Sequence, residues 1–326
     1  MANAVERVLQ LGNETVWGTV VAPTKQMAGV MPGASIPPSL VTEIIQTQRG
    51  SMGPGNKILD LYHEVNGVSI PFYVIYEELC YYMNMMDAAT EAGAGPYTQT
   101  YAAPEAAAIT PDYMTLVYGS DSGIYGVTSA FGKSLSIDWA YGQAVTGSLD
   151  VGGYSVNTDT LASLSEAAVA DLTYANGCQA SVYIDAWGGT MGATAFTKCL
   201  SGNVTIDAQR EYLGYAGSCY PAGTYDPVGW NITGSLKLES DATSGAWVDA
   251  LLAASQKKLL RIKFTNGLAG ADERTIQIDL QAQITVSDTM ADDNGLQTFD
   301  LDFMSVQEDD NDYFEMVITN DVSAIW

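Results

Sequence analysis

A mainly β fold with a few short flanking helices is predicted by three observations. Ile276-Gln277-Ile278-Asp279-Leu280-Gln281-Ala282-Gln283-Ile284-Thr285-Val286 alternates apolar and polar side chains without a break, and Phe299-Asp300-Leu301-Asp302-Phe303 repeats the pattern with carboxylates. Side chains along a strand point to opposite faces at period two, so each segment has one dry face and one wet face. Further alternating segments, separated by Gly, Asn, Asp and Pro clusters, cover residues 60–74, 114–118, 133–151, 180–185, 203–208, 230–239 and 259–264. Only residues 76–86 and 246–254 carry apolar side chains at helical spacing.

Taken in order, the strand at 60–74 leads into the first short helix, whose opening Glu77-Glu78 suits the positive end of a helix dipole. A strand at 114–118 and a long hairpin at 133–151 follow. The second helix is preceded by Ser244, a good N-cap, and followed by Lys257 and Lys258, which suit a helix C-terminus. It leads to the strand at 259–264 and the two C-terminal strands, joined through Asp292-Asp293-Asn294-Gly295, where Asn-Gly fits a hairpin turn with positive φ at both residues. Strand, helix, strand and long hairpin therefore occur twice, which predicts two copies of one module, residues 1–155 and 156–326. Leu135-Ser136-Ile137-Asp138-Trp139 reads like Ile276-Gln277-Ile278-Asp279-Leu280, and Leu149-Asp150-Val151 like Phe299-Asp300-Leu301. The wet face of the second module thus carries Gln277, Asp279, Gln281, Gln283, Asp300 and Asp302, with Ser136, Asp138, Ser148 and Asp150 as first-module counterparts. Loops at 28–38, 50–55 and 89–111 are rich in Ala, Gly, Ser and Pro and fit arms that order against neighbouring subunits.

The chain has 326 residues, long for one domain and comfortable for two. Its 13 basic and 38 acidic residues give a formal charge of -25, which argues against wrapping nucleic acid by phosphate neutralisation. The acidity is uneven: 14 acidic and 5 basic residues lie in 1–150, against 24 and 8 in 151–326, and no Lys or Arg follows Arg274. A salt-adapted surface would also explain part of this excess. His63 is the only histidine, so no His-based triad or metal pair can form, and nucleotide-binding and hydrolase motifs are absent. Cys80, Cys178, Cys199 and Cys219 show no C-x-x-C spacing and are expected as reduced core thiols. The acidic run Glu308-Asp309-Asp310-Asn311-Asp312 and the 292–295 cluster lack calcium-loop spacing. No catalytic residue, metal or cofactor is expected. With neither a secretion signal nor a span-length apolar stretch, the sequence reads as a soluble protein made in the cytoplasm, with no membrane partner.

Glu14-Thr15-Val16-Trp17-Gly18-Thr19-Val20-Val21-Ala22-Pro23, the helix opening Tyr76-Glu77-Glu78-Leu79, and Tyr97-Thr98-Gln99-Thr100-Tyr101-Ala102-Ala103-Pro104 before Met114-Thr115-Leu116-Val117-Tyr118-Gly119 occur in that order. In these patterns the chain resembles the tail tube proteins of long-tailed phages and related viruses. The resemblance implies a β-sandwich with a flanking helix and no catalysis. Its subunits form rings that stack into a hollow virion tube around a tape-measure protein, meet terminator and tip proteins, and later pass double-stranded DNA. On assembly one sheet per module would join an inner β-barrel, with the wet-face residues named above lining a lumen that DNA does not adhere to. Three duplicated chains would close a trimeric ring of pseudo-sixfold symmetry, and six unduplicated ones a hexamer. The rival readings are a surface β-sandwich adhesin binding carbohydrate or calcium, and a carboxylate-pair hydrolase.

Overall fold

Period-two alternation produces a strand wherever a second layer covers its apolar side, and the described residues follow that rule nearly throughout: strands take 58% of them and helices 8%. The computed structural model describes residues 7–37, 40–46, 56–103, 111–120, 123–159, 172–253, 257–293, 295–307, 313–323 and 325–326. Up to residue 159 the elements are β1 (Val8–Asn13), β2 (Lys25–Met27), β3 (Leu40–Gln46), β4 (Asn56–His63), β5 (Val65–Tyr73), α1 (Leu79–Asn84), β6 (Thr90–Ala92), β7 (Tyr97–Ala102), β8 (Met114–Ser120), β9 (Gly123–Ala140), β10 (Thr146–Gly153) and β11 (Ser155–Thr158). From residue 172 they are β12 (Ala180–Ala186), β13 (Ala195–Phe196), β14 (Cys199–Asp207), β15 (Glu211–Leu213), β16 (Gly223–Tyr225), β17 (Asn231–Glu239), α2 (Ala242–Ala253), β18 (Lys257–Thr265), β19 (Thr275–Asp293), β20 (Leu296–Ser305) and β21 (Phe314–Asn320).

The two longest strands, β9 and β19, each pass from one sheet into another. The first half of β9 pairs with β8 and β11, giving the order β2-β1-β8-β9-β11. The first half of β19 pairs with β18 and β21, giving β13-β12-β18-β19-β21-β7-β6. The second halves of both strands enter one long antiparallel sheet, β5-β10-β9-β14-β17-β20-β19. The hairpins β3-β4 and β15-β16 stand apart. Apolar faces of the three sheets share one core cluster, including Leu9, Leu116, Ile137, Leu149, Val204, Leu236, Ile262, Ile278 and Leu301. Trp139 of the long sheet meets Phe264 of the β18 sheet edge-on at 5.6 Å.

Local chemistry sets the corner in β9. Ser129 adopts φ 47°, and the buried Glu14 carboxylate accepts from its N–H (2.8 Å), from its hydroxyl (2.6 Å) and from Thr115 Oγ1 (2.6 Å). Just past the bend, a Cβ on Gly132 would lie 2.6 Å from Met86 Cγ, so glycine lets β9 approach the residues that follow α1 this closely.

Several expectations change on folding. Glu77 and Glu78 precede α1 and are buried, engaged by an arginine and by backbone amides rather than serving a helix dipole. α2 begins at Ala242, and its cap is Asp241: the Asp241 carboxylate accepts from Ser244 N–H (2.8 Å), while Ser244 Oγ accepts from Asp241 N–H (2.8 Å). All four cysteines are free thiols, but only Cys80 is a core residue; Cys178 and Cys219 are exposed and Cys199 is half-buried. The segments 135–139 and 276–280, alike in pattern, occupy different sheets, one pairing with β10 and β14 and the other with β18 and β21. Part of the 28–38 loop runs beside β5, where Met31 N–H donates to Pro71 O (2.8 Å) and Tyr73 N–H to Gly29 O (2.8 Å). The 50–55 loop, residues 104–110 and the 308–312 acidic cluster lie outside the described residues.

Candidate functional site

The long sheet turns its polar side outward in registered rows. One row runs Tyr73, Thr146, Asp138, Asn203, Ser235, Asp302 and Thr285 across all of its strands. The next runs Pro71, Ser148, Ser136, Thr205, Thr233, Met304 and Gln283. On one side of these lie Ser69, Asp150, Ser134, Asp207 and Asn231, and on the other Ala140, Ser201, Lys237, Asp300 and Asp288. Directly opposed side chains in such rows sit roughly 4.5–5.5 Å apart at Cβ. The alternate residues, among them Leu135, Ile137, Val204, Ile206, Leu236 and Leu301, are fully buried in the core, which is what locks this register.

The face is hydroxyl, amide and carboxylate. Among the described residues of these rows, Asp138, Asp150, Asp207, Asp288, Asp300 and Asp302 meet a single ammonium, Lys237. Hydroxyls tie neighbours together: Ser69 Oγ and Ser148 Oγ are 3.2 Å apart, Ser134 Oγ donates to Asp150 Oδ2 at 3.2 Å, and Ser287 Oγ donates to Asp300 O at 3.0 Å. The middle of the face is an open concavity of about 430 Å³, with Asp138, Asn203, Ser235, Lys237, Asp300 and Asp302 on its walls. Burial there pushes the Asp138 carboxyl above the ordinary carboxylate pKa.

Of the residues singled out from the sequence, Ser136, Asp138, Ser148, Asp150, Asp300 and Asp302 come together on this face, and Gln283 closes one row. Gln277, Asp279 and Gln281 lie elsewhere, on the first half of β19 between β18 and β21. Asp279 is spoken for: Arg261 Nε and Nη2 donate to its two oxygens at 2.6 and 2.7 Å, and Gln277 Nε2 donates at 3.0 Å. Asn203, Thr205, Asp207, Thr233, Ser235 and Lys237 complete the face and were not singled out. Their signal is the same alternation, in segments read as strands without assigning which sheet they enter.

A family model described as phage tail tube protein matches residues 5–307. The chain belongs to the phage tail tube protein family. No curated protein matches it by sequence. As a tail tube protein it is a structural component of the virion tail that self-assembles into a stacked tube and associates with other tail proteins. Its mainly β, sandwich-like architecture agrees with that membership. Among its described residues no group of His, Cys, Asp and Glu is arranged to hold a metal ion, and no helix is long and apolar enough to cross a membrane.

Proposed function

We propose that the polar face of the long sheet lines the lumen of the tail tube and that double-stranded DNA passes over it without adhering. The observation carrying this reading is the set of registered Ser, Thr, Asn and Asp rows crossing every strand of one sheet, with Lys237 as their single base. Carboxylates repel phosphate, and screening limits that repulsion to about 8 Å from the wall at physiological salt. The wall prevents sticking and does not drive transport. Under this reading the lumen set is Ser136, Asp138, Ser148, Asp150, Asp300 and Asp302 with Asn203, Thr205, Thr233 and Ser235, and Gln277 and Asp279 fall outside it.

Strand connectivity supports a ring built of repeated modules. β1-β8-β9-β11 and β12-β18-β19-β21 share one pairing order, as do β5-β10-β9 and β17-β20-β19. This supports two modules, 1–155 and 156–326, and hence trimeric rings of pseudo-sixfold symmetry, with hexameric rings as the alternative. The β9–β14 seam joins the modules within the chain. Beyond Gln283, β19 pairs with β20 on one side and with no described strand on the other. The start of that edge, residues 284–286, precedes two bulges and three aspartates and is a template for pairing that a neighbouring chain would cover. Tape-measure, terminator and tip proteins are the further partners this role calls for.

Electron microscopy of the purified protein across a salt series tests the reading. Hollow tubes or stacked rings are the expected outcome, and their rotational averages distinguish three chains from six. Discrete monomers under every condition would overturn it.

A further inference from the structure

The long sheet has two outer edges, and a seam inside the chain shows how such edges can meet. Element order runs alike in the two halves. β1 pairs antiparallel with β2, and β12 antiparallel with β13. After β13 comes β14, which lies antiparallel to β17. After β2 comes the segment 28–35, which lies antiparallel to β5, with Val30 opposite Phe72 and Ser35 opposite Ser69. A hairpin that stands apart then follows in each half, β15-β16 before β17 and β3-β4 before β5. The segment 28–35 holds the place in the first half that β14 holds in the second.

β14 is paired on both flanks, with β17 and with β9. The segment 28–35 meets β5 on one flank: Met31 N–H donates to Pro71 O and Tyr73 N–H to Gly29 O, both at 2.8 Å. Val30 lies between these bonded residues, so its own N–H and C=O point away from β5. At the far edge of the sheet stands β19, the counterpart of β9, with β20 on one flank beyond Gln283. The remaining flanks of these two edges are the counterparts of those that meet, inside the chain, at β9 and β14.

We infer that the segment 28–35 of one copy pairs with the β19 edge of the next copy, repeating between chains the β9–β14 seam, and that this contact closes the ring. The occupant is a second copy of this chain on three grounds. The first is direction: neighbours alternate antiparallel from the segment 28–35 through β5, β10, β9, β14, β17 and β20 to β19, so the segment of a second copy meets β19 antiparallel and the alternation continues. The second is burial. Val30 and Val286 pack against the core from the two edges but stay half-buried, whereas Ile137 and Val204, opposite each other in the internal seam, are fully buried. The third is length and charge. The segment advances five positions from Val30 to Ser35 while β5 advances three from Phe72 to Ser69, so its regular part is short, as is the stretch 284–286 before the bulges of β19. It also carries no charged residue to oppose the aspartates farther along β19. Opposite edges of one sheet meet head-to-tail, and such contacts form a ring where the rotation between copies closes. The inference rests on the tube-forming role proposed above and names the segment through which neighbours in a ring join.

Met31 and Thr285 supply the test, because they lie at opposite edges of the sheet and a disulfide between them joins two copies. A chain with Met31→Cys and Thr285→Cys, and with Cys178→Ser and Cys219→Ser to remove the exposed thiols, is assembled, oxidised with diamide and run on a non-reducing gel. Met31→Cys with Gln283→Cys samples the adjacent register. The expected result is a ladder of linked chains that stops at the number of copies in the ring and that neither new cysteine gives alone. In parallel, Val286→Lys should form rings at least tenfold less at equal concentration, with circular dichroism showing that the chain folds, while Leu296→Lys at the exposed hairpin tip should form them normally. Rings that give no ladder with either cysteine pair, or that form normally with Val286→Lys, overturn the seam and leave the tube reading standing. Failure of the unmodified chain to form rings under any salt condition overturns both.

Discussion

Arg274 shows how single residues join distant parts of this chain. Its Nε donates to Glu77 Oε1 at 2.8 Å and its Nη2 to Asp321 Oδ2 at 2.8 Å, while Nη1 donates to the carbonyls of Ala271 and Glu273 at 3.0 Å. Glu77 is fully buried, and its second oxygen accepts from Thr173 N–H at 2.9 Å. Removing one partner of a buried pair strands the other, so Arg274→Met should lower unfolding free energy by about 3–5 kcal/mol in urea titrations. Glu77→Leu with Arg274→Met should recover much of that loss. By contrast Lys198→Ala, which removes a partly exposed ammonium 3.1 Å from Glu239 and 3.5 Å from Asp241, should leave the urea midpoint nearly unchanged. Asp138 makes a pH-dependent case. Its folded pKa is raised by burial, so the stability it contributes is fully present below the ordinary carboxylate pKa and is lost as pH rises through the raised value. Asp138→Asn should therefore melt progressively higher relative to the unmodified protein as pH rises through that window, read by a thermal-shift series; a difference independent of pH would contradict this assignment. None of these pairings is legible in the sequence, since Glu77 and Arg274 are 197 positions apart.

At the scale of elements, alternation found most strands but not their bounds or neighbours. β19 alternates from Thr275 through Ser287 without a break, yet it pairs with β21 up to Leu280, with β18 up to Gln283 and with β20 from Ala282 onward. Side-chain period reports which face is dry and carries no information about which strand lies alongside. β21, buried at every second position, is as regular as any strand, but its short run beside an acidic cluster did not stand out. α1 is apolar on every side and wholly buried, so tertiary cover decides its length: Arg210 Nη2 binds Met86 O at 2.8 Å, taking up a carbonyl just past the last turn. α2 depends more on its own ends. Asp241→Ala, which removes the acceptor for Ser244 N–H, should destabilise the protein by about 1 kcal/mol, with the loss appearing as faster amide exchange in the first turn of α2. Exchange that stays unchanged there would show that packing alone holds the helix start.

For the whole molecule, the assembly reading makes charge on the long sheet a matter of transport rather than folding. Virions built with Asp138, Asp150 and Asp302 all changed to Lys should have tails of normal length but release DNA slowly and incompletely, with the defect relieved as salt rises and screens the new contacts. Unchanged release would remove these residues from the lumen. The sequence by itself determined that this is a mainly β chain with an acidic and amide wet face and without recognisable catalytic motifs. It could do so because period-two burial and composition are local properties, written into each segment. Only the tertiary structure decided that Ser136, Asp138, Ser148, Asp150, Asp300 and Asp302 share a surface with Asn203 and Ser235 while Gln277 and Asp279 face elsewhere. The reason is physical: backbone pairing and the corners of β9 and β19 depend on contacts far apart in the chain, where a change of partner midway along a strand leaves its alternation untouched.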